Sequence, residues 1–102
     1  VSDLANAHLD ALNFLFKNES SLSIFNIGTG ESYSVLEVIK IFEDVSGIHI
    51  PYRVIDRRPG DIAVCLADPS KAKMLLGWKA KLNLHKMCED SWRWQRQNPD
   101  GI

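Results

Sequence analysis

Arg57-Arg58-Pro59-Gly60-Asp61 sets two cations and a carboxylate around a Pro-Gly turn. Pro suits the second position of a turn over Arg58 to Asp61, because its fixed φ fits there. Gly suits the third, where a type II turn demands positive φ. Such a turn brings the Cα atoms of Arg58 and Asp61 within about 7 Å. A guanidinium fork and a hydrogen-bond-accepting carboxylate then face the same way. That pair fits a ligand with phosphates at one point and hydroxyls nearby, as a nucleotide has. Taken alone, the same five residues are better read as an ordinary surface turn closed by an Arg–Asp ion pair, because exposed pairs of this kind are common and contribute little.

The other chemistry-bearing residues form no constellation. Gly28-Thr29-Gly30 lies between an apolar run and a helix pattern, but the third glycine of G-x-G-x-x-G would fall at Tyr33. Those glycines are better read as permitting a tight crossing than as a dinucleotide loop. His8, His49 and His85 stand isolated from one another along the chain, so no metal site is expected. Cys65 and Cys88 have neither metal-ligand nor disulfide spacing and read as reduced thiols. No Ser or Cys has a suggestive His and carboxylate, so no catalytic residue is expected. Trp78, Trp92 and Trp94 read as packing residues.

The elements that must position the turn follow from periodicity and caps. Ser2 or Asp3 is expected to cap a helix to about Lys17, with Leu4, Ala7, Ala11 and Leu15 on one face. Ser21 to Ile27 reads as a buried strand. Ser34-Val35-Leu36-Glu37 has capping-box spacing and opens a second helix, with Val35, Val38, Ile39, Phe42 and Val45 as its apolar face and Gly47 at its end. His49 to Ile55 alternates as a second strand. Asp68-Pro69 starts a third helix that stops at Gly77. Asn83 caps a fourth, with Leu84, Met87, Ser91 and Trp94 along one side and Cys88 and Trp92 beside them, and Pro99 ends it. The expected class is α/β, few strands plus about four helices, too few strands to close a sheet.

With 102 residues the chain is one domain at most. Hydrophobic content of 45% and charged content of 25% match a globular protein. A net charge of −1 without a basic block argues against nucleic acid as partner. No apolar run approaches the roughly 18 residues of a membrane span, so no membrane partner is expected, and the two reduced thiols read as those of a cytoplasmic protein. A start without Met, directly in a helix pattern, reads as a fragment.

Several segments in this order resemble one family: Val1 to His8, Phe25 to Gly30, Tyr33 to Val38, Arg57 to Asp61, Asp68 to Ala72, Leu76-Gly77-Trp78 and Met87 to Gln95. They resemble the C-terminal part of the UDP-glucose 4-epimerases, extended short-chain dehydrogenase/reductases. The first three segments recur across many nucleotide-sugar enzymes. The Arg-Arg-x-Gly-Asp segment and the Trp-x-Trp-Gln helix point to the epimerases themselves. The resemblance implies a substrate-binding lobe over residues 1–102, with the Rossmann domain, its NAD loop and the Tyr-x-x-x-Lys pair lacking. Tyr33 and Tyr52 are followed four residues on by Glu37 and Asp56.

By the same resemblance, Arg58 would grip the diphosphate of a UDP-sugar, Asp61 would accept from the ribose, and Val35 would pack near the uridine. Cys65 would border the sugar, where a small residue leaves space for an N-acetyl group and a Tyr would not. The implied parent uses NAD to interconvert UDP-glucose and UDP-galactose in galactose metabolism, and with Cys65 also UDP-GlcNAc and UDP-GalNAc. It would be a homodimer, its Rossmann domain the partner of this lobe; the lobe alone would be inactive and would expose the apolar face that met that domain. Two other readings are the substrate lobe of another nucleotide-sugar epimerase, dehydratase or decarboxylase, and a non-catalytic interaction module.

Overall fold

A computed structural model describes residues 1–18 and 22–101. Four helices appear in chain order: α1 (Ser2–Lys17), α2 (Val35–Ser46), α3 (Ser70–Leu76) and α4 (Leu84–Gln97). The backbone divides into two compact units, Val1–Ser32 with Leu66–Leu82, and Tyr33–Cys65 with Asn83–Ile102.

In the first unit α1 packs on α3. Ala7 and Ala72 are both buried there with Trp78, and Phe25, Ile27, Leu76 and Ala80 pack round them. Small residues at the contact let the helices approach closely. The α1 face that packs is Asp3, Ala7, Ala11 and Phe14, whereas the expected Leu4 and Leu15 are exposed. The reason lies at the N-terminus. Neither Ser2 nor Asp3 caps α1; Val1 occupies the cap position without a side-chain bond. Instead one Asp3 carboxylate oxygen accepts the backbone N–H groups of Lys81 and Leu82, each at 2.8 Å. The Asp3 carbonyl accepts the Trp78 indole N–H at 3.0 Å. Turning Asp3 inward rotates the packed stripe away from Leu4. Leu9, Leu12 and Phe16 stay exposed on α1.

The strands expected at Ser21 to Ile27 and His49 to Ile55 are not formed among the described residues, and Ser21 lies outside them. A strand requires a neighbouring chain to complete its ladder, and alternation of side chains supplies only the faces. Residues 22–27 do keep that alternation: Phe25 and Ile27 are half-buried, Leu22 and Ile24 exposed. Lys71 anchors the segment, donating to the Ile24 carbonyl at 2.7 Å with its ammonium 5.0 Å above the centre of the Phe25 ring. Phe14 meets that ring edge to face at 5.7 Å. Gly28 follows, and a Cβ there would stand 2.9 Å from that of Ala67.

In the second unit α2 packs on α4. The expected capping box forms: Ser34 Oγ accepts the Glu37 N–H at 3.2 Å, and the Glu37 carboxylate accepts the Ser34 N–H at 2.7 Å. Gly47 closes α2 at φ +69°. Just beyond, one Glu43 oxygen holds the Ile50 N–H and the His49 ring, both at 2.7 Å. Asn83 caps α4 as expected, accepting from the Lys86 N–H at 3.0 Å. The packed line of α4 is Leu84, Cys88 and Trp92, with Cys88 only 3% exposed; Met87, Ser91 and Trp94 face solvent, contrary to the expected side. Residues four apart share a helix face as readily as residues three apart, and here the i, i+4 line wins. α3 begins one residue later than expected, at Ser70, with Asp68 accepting the Ser70 N–H at 3.0 Å.

The capping box carries a pH dependence. Hydrogen bonds from the Ser34 N–H, then its hydroxyl, hold the Glu37 carboxyl below the usual carboxylate range. A carboxyl whose folded pKa is lowered adds stability at neutral pH and loses it as pH falls from the unfolded pKa through the folded one. Circular dichroism between pH 6 and 3 should therefore show wild type losing more stability than Glu37→Gln. Parallel acid profiles would refute a Glu37 contribution.

Candidate functional site

The candidate site is the turn in the second unit. Asp61 N–H donates to the Arg58 carbonyl at 3.2 Å, and Gly60 sits at φ +89°, the sign a type II turn requires at its third residue. Arg58 and Asp61 close on each other: the Asp61 carboxylate accepts the Arg58 backbone N–H and Nε–H, both at 3.2 Å, and Nη2–H at 3.3 Å. The two side chains keep 81% and 40% of their accessible surface. Both readings of the turn therefore coexist, because the ion pair leaves capacity unused. A guanidinium has five N–H groups, of which the pair uses two. A carboxylate has about four acceptor positions, of which the three bonds leave one. The fork is held in one orientation with its outer edge open.

The structure brings Arg58 and Asp61 together, and they alone of the predicted set. Val35 is the first residue of α2 and is 75% exposed; Cys65 is exposed and lies outside the helices. Among the described residues no hydrogen bond joins either to the turn. Cys65 is thus not the small buried residue a thiol often is. Arg57 is exposed as well. At the N-terminus of α2 the Glu37 N–H is taken by Ser34 Oγ and the Ser34 N–H by the Glu37 carboxylate, which places a negative charge at that end.

The Gly28-Thr29-Gly30 loop does not fit a dinucleotide. Gly28 is required by its approach to Ala67, and Gly30 has φ +77°, where a Cβ would stand in ordinary contact with the Pro69 ring at 3.6 Å. Packing accounts for Gly28 and the left-handed backbone for Gly30. Among the described residues no group of three or more His, Cys, Asp or Glu could hold a metal ion. No helix of the described residues is long and apolar enough to cross a membrane. A feature missed in the sequence lies on α4: Trp92, Arg93 and Arg96 join Val45 of α2 around a hollow. Its signal was the Trp-Arg-x-x-Arg spacing, which repeats on one helix face.

Comparisons with known proteins agree with one another. The profile of the family described as GDP-mannose 4,6 dehydratase matches residues 4–91. A UDP-glucose 4-epimerase of Bacillus subtilis is 56% identical over 101 residues, 99% of this chain and 30% of that protein. The human UDP-glucose 4-epimerase is 52% identical over 102 residues, 100% of this chain and 29% of that protein. Among solved structures, a UDP-glucose-4-epimerase from Stenotrophomonas maltophila, with bound NAD and formylated UDP-arabinopyranose, superposes with a TM-score of 0.88 at 48% identity. It covers 95% of this chain and 29% of that one. The Bifidobacterium longum UDP-glucose 4-epimerase, in complex with NAD+ and UDP, gives 0.87 at 47%, covering 98% and 29%. The chain spans about three-tenths of the length of these relatives, and the match covers their C-terminal part.

Proposed function

This chain belongs to the family described as GDP-mannose 4,6 dehydratase, and from that membership we propose that it is the substrate-holding portion of an NAD-dependent UDP-glucose 4-epimerase. The observation that carries the reading is the 56% identity to such an enzyme over nearly every residue. The complete protein would interconvert UDP-glucose and UDP-galactose, in the cytoplasm and as a homodimer. NAD supplies hydride chemistry in such an enzyme, and the glycine loop of this chain offers no place for it. What these residues do is bind and orient.

Arg58 is the diphosphate ligand in this proposal. Its three remaining N–H groups point a permanent, planar charge outward, which suits phosphate oxygens better than an ammonium would. Asp61 holds the fork and gives its remaining acceptor position to a ribose hydroxyl. Val35 offers an exposed apolar surface to the uracil ring. Gripping the handle this tightly does not itself speed chemistry; it fixes where the sugar lies.

The test is an assay of the complete protein containing this chain. Turnover of UDP-galactose to UDP-glucose supports the reading. Turnover of GDP-mannose with none of UDP-galactose would replace it with the dehydratase activity that the family description carries. Cys65 adds a specificity prediction: with a small residue bordering the sugar, the complete enzyme should also act on UDP-GalNAc. Cys65→Tyr should abolish that activity and spare UDP-galactose. If the tyrosine variant keeps both, position 65 does not gate the sugar.

A further inference from the structure

The hollow between α2 and α4 lies in the second unit and has no part in the proposed UDP-sugar site. It is an open hollow of about 440 Å³, lined by Val45, Glu89, Trp92, Arg93, Arg96 and Gln97. We propose that it binds a small planar organic carboxylate, an aromatic ring bearing one carboxyl group.

Three features select that class. Val45 and Trp92 are half-buried and supply an apolar, partly aromatic wall. The charges are unevenly matched: Arg93 Nη2 is held by Asp90 at 2.7 Å, and Glu89 by Lys86 at 3.3 Å. Arg96 has neither a hydrogen bond nor an ion pair among the described residues. One cation is therefore left over beside an aromatic surface. A guanidinium fork pairs bidentately with a carboxylate, and Trp92 and Arg96, four apart on α4, lie on one side of the helix. A polyphosphate would bring several negative charges towards Glu89 where a single carboxylate brings one, and would leave the indole unused. A neutral ring would leave Arg96 without a partner. The volume lies near the low end of the range for small-molecule sites, which suits a single ring.

Benzoate is the probe. The protein is labelled with fluorotryptophan, the Trp92 resonance assigned with Trp92→Phe, and benzoate titrated at constant ionic strength. A saturable shift of the Trp92 fluorine resonance is expected, with a Kd of roughly 1 mM. Arg96→Ala, an exposed change, should weaken binding by about tenfold, and benzyl alcohol should shift the resonance less than benzoate. A shift that rises linearly without saturating, an unchanged Kd in Arg96→Ala, or an equal response to benzyl alcohol would each overturn the proposal.

Discussion

Arg58→Ala in the complete enzyme is expected to raise KM for UDP-galactose by roughly 10- to 100-fold while changing kcat little. The estimate follows from losing one or two hydrogen bonds between a permanent cation and phosphate, each contributing about 1.5–3 kcal/mol. Interactions made equally in ground and transition states appear in KM rather than in kcat. Arg58→Lys keeps the charge and loses the fork, so it should recover only part of the affinity. Inhibition should separate the roles. UDP should weaken in step with the substrate, whereas uridine, which carries no phosphate, should bind the variant and wild type alike. Asp61→Asn adds a second check. It removes the anchor of the Arg58 guanidinium without touching the turn's backbone bond from the Asp61 N–H to the Arg58 carbonyl. A smaller rise in KM than Arg58→Ala is expected. Unchanged kinetics in Arg58→Ala would remove the turn from the binding site.

The largest stability effect is expected at Trp78. The indole is 4% exposed, packs with Ala7 and Ala72, and donates to the Asp3 carbonyl at 3.0 Å. Trp78→Ala removes the largest apolar group of that cluster and should cost about 3–5 kcal/mol. A small domain has about 5–15 kcal/mol in total, so the first unit should be close to its unfolding limit. Trp78→Phe keeps most of the ring volume and loses the N–H donor, for which about 1 kcal/mol more than a pure packing change is expected. Urea titration followed by far-UV circular dichroism measures both. A loss below about 1 kcal/mol in Trp78→Ala would show that the indole does not fill the cluster.

Local chemistry made much of this legible before any coordinates. Pro59-Gly60, the Ser34–Glu37 box, Asn83 and the terminal glycines Gly47 and Gly77 each act over at most a few residues, and each is where its residue type placed it. Contacts distant in sequence were not legible. Asp3 has the type and position of a helix cap, yet its carboxylate reaches amides 78 and 79 residues away. Only the tertiary fold brings those donors near. The strand expectation failed for a related reason: alternation in Ile48, Ile50, Tyr52 and Val54 records which faces a segment offers, while a ladder depends on a second segment. On α4 the pattern allowed two apolar lines, and only packing against α2 selects Leu84, Cys88 and Trp92. At the turn, residue types named the Arg58–Asp61 pair; the unused edge of the guanidinium became visible only with its bonds counted.

The two thiols differ in a way that has a practical use. Cys65 is exposed, whereas Cys88 is buried and its burial pushes its pKa up. Alkylation proceeds through the thiolate, so a maleimide dye at neutral pH should attach to Cys65 and leave Cys88 unmodified. Peptide mapping after a brief reaction checks this, and comparable modification of both residues would contradict it. A dye there sits four positions after Asp61. The chain therefore carries a ready attachment point beside its proposed binding turn, where a change in emission could report ligand arrival without introducing a new cysteine.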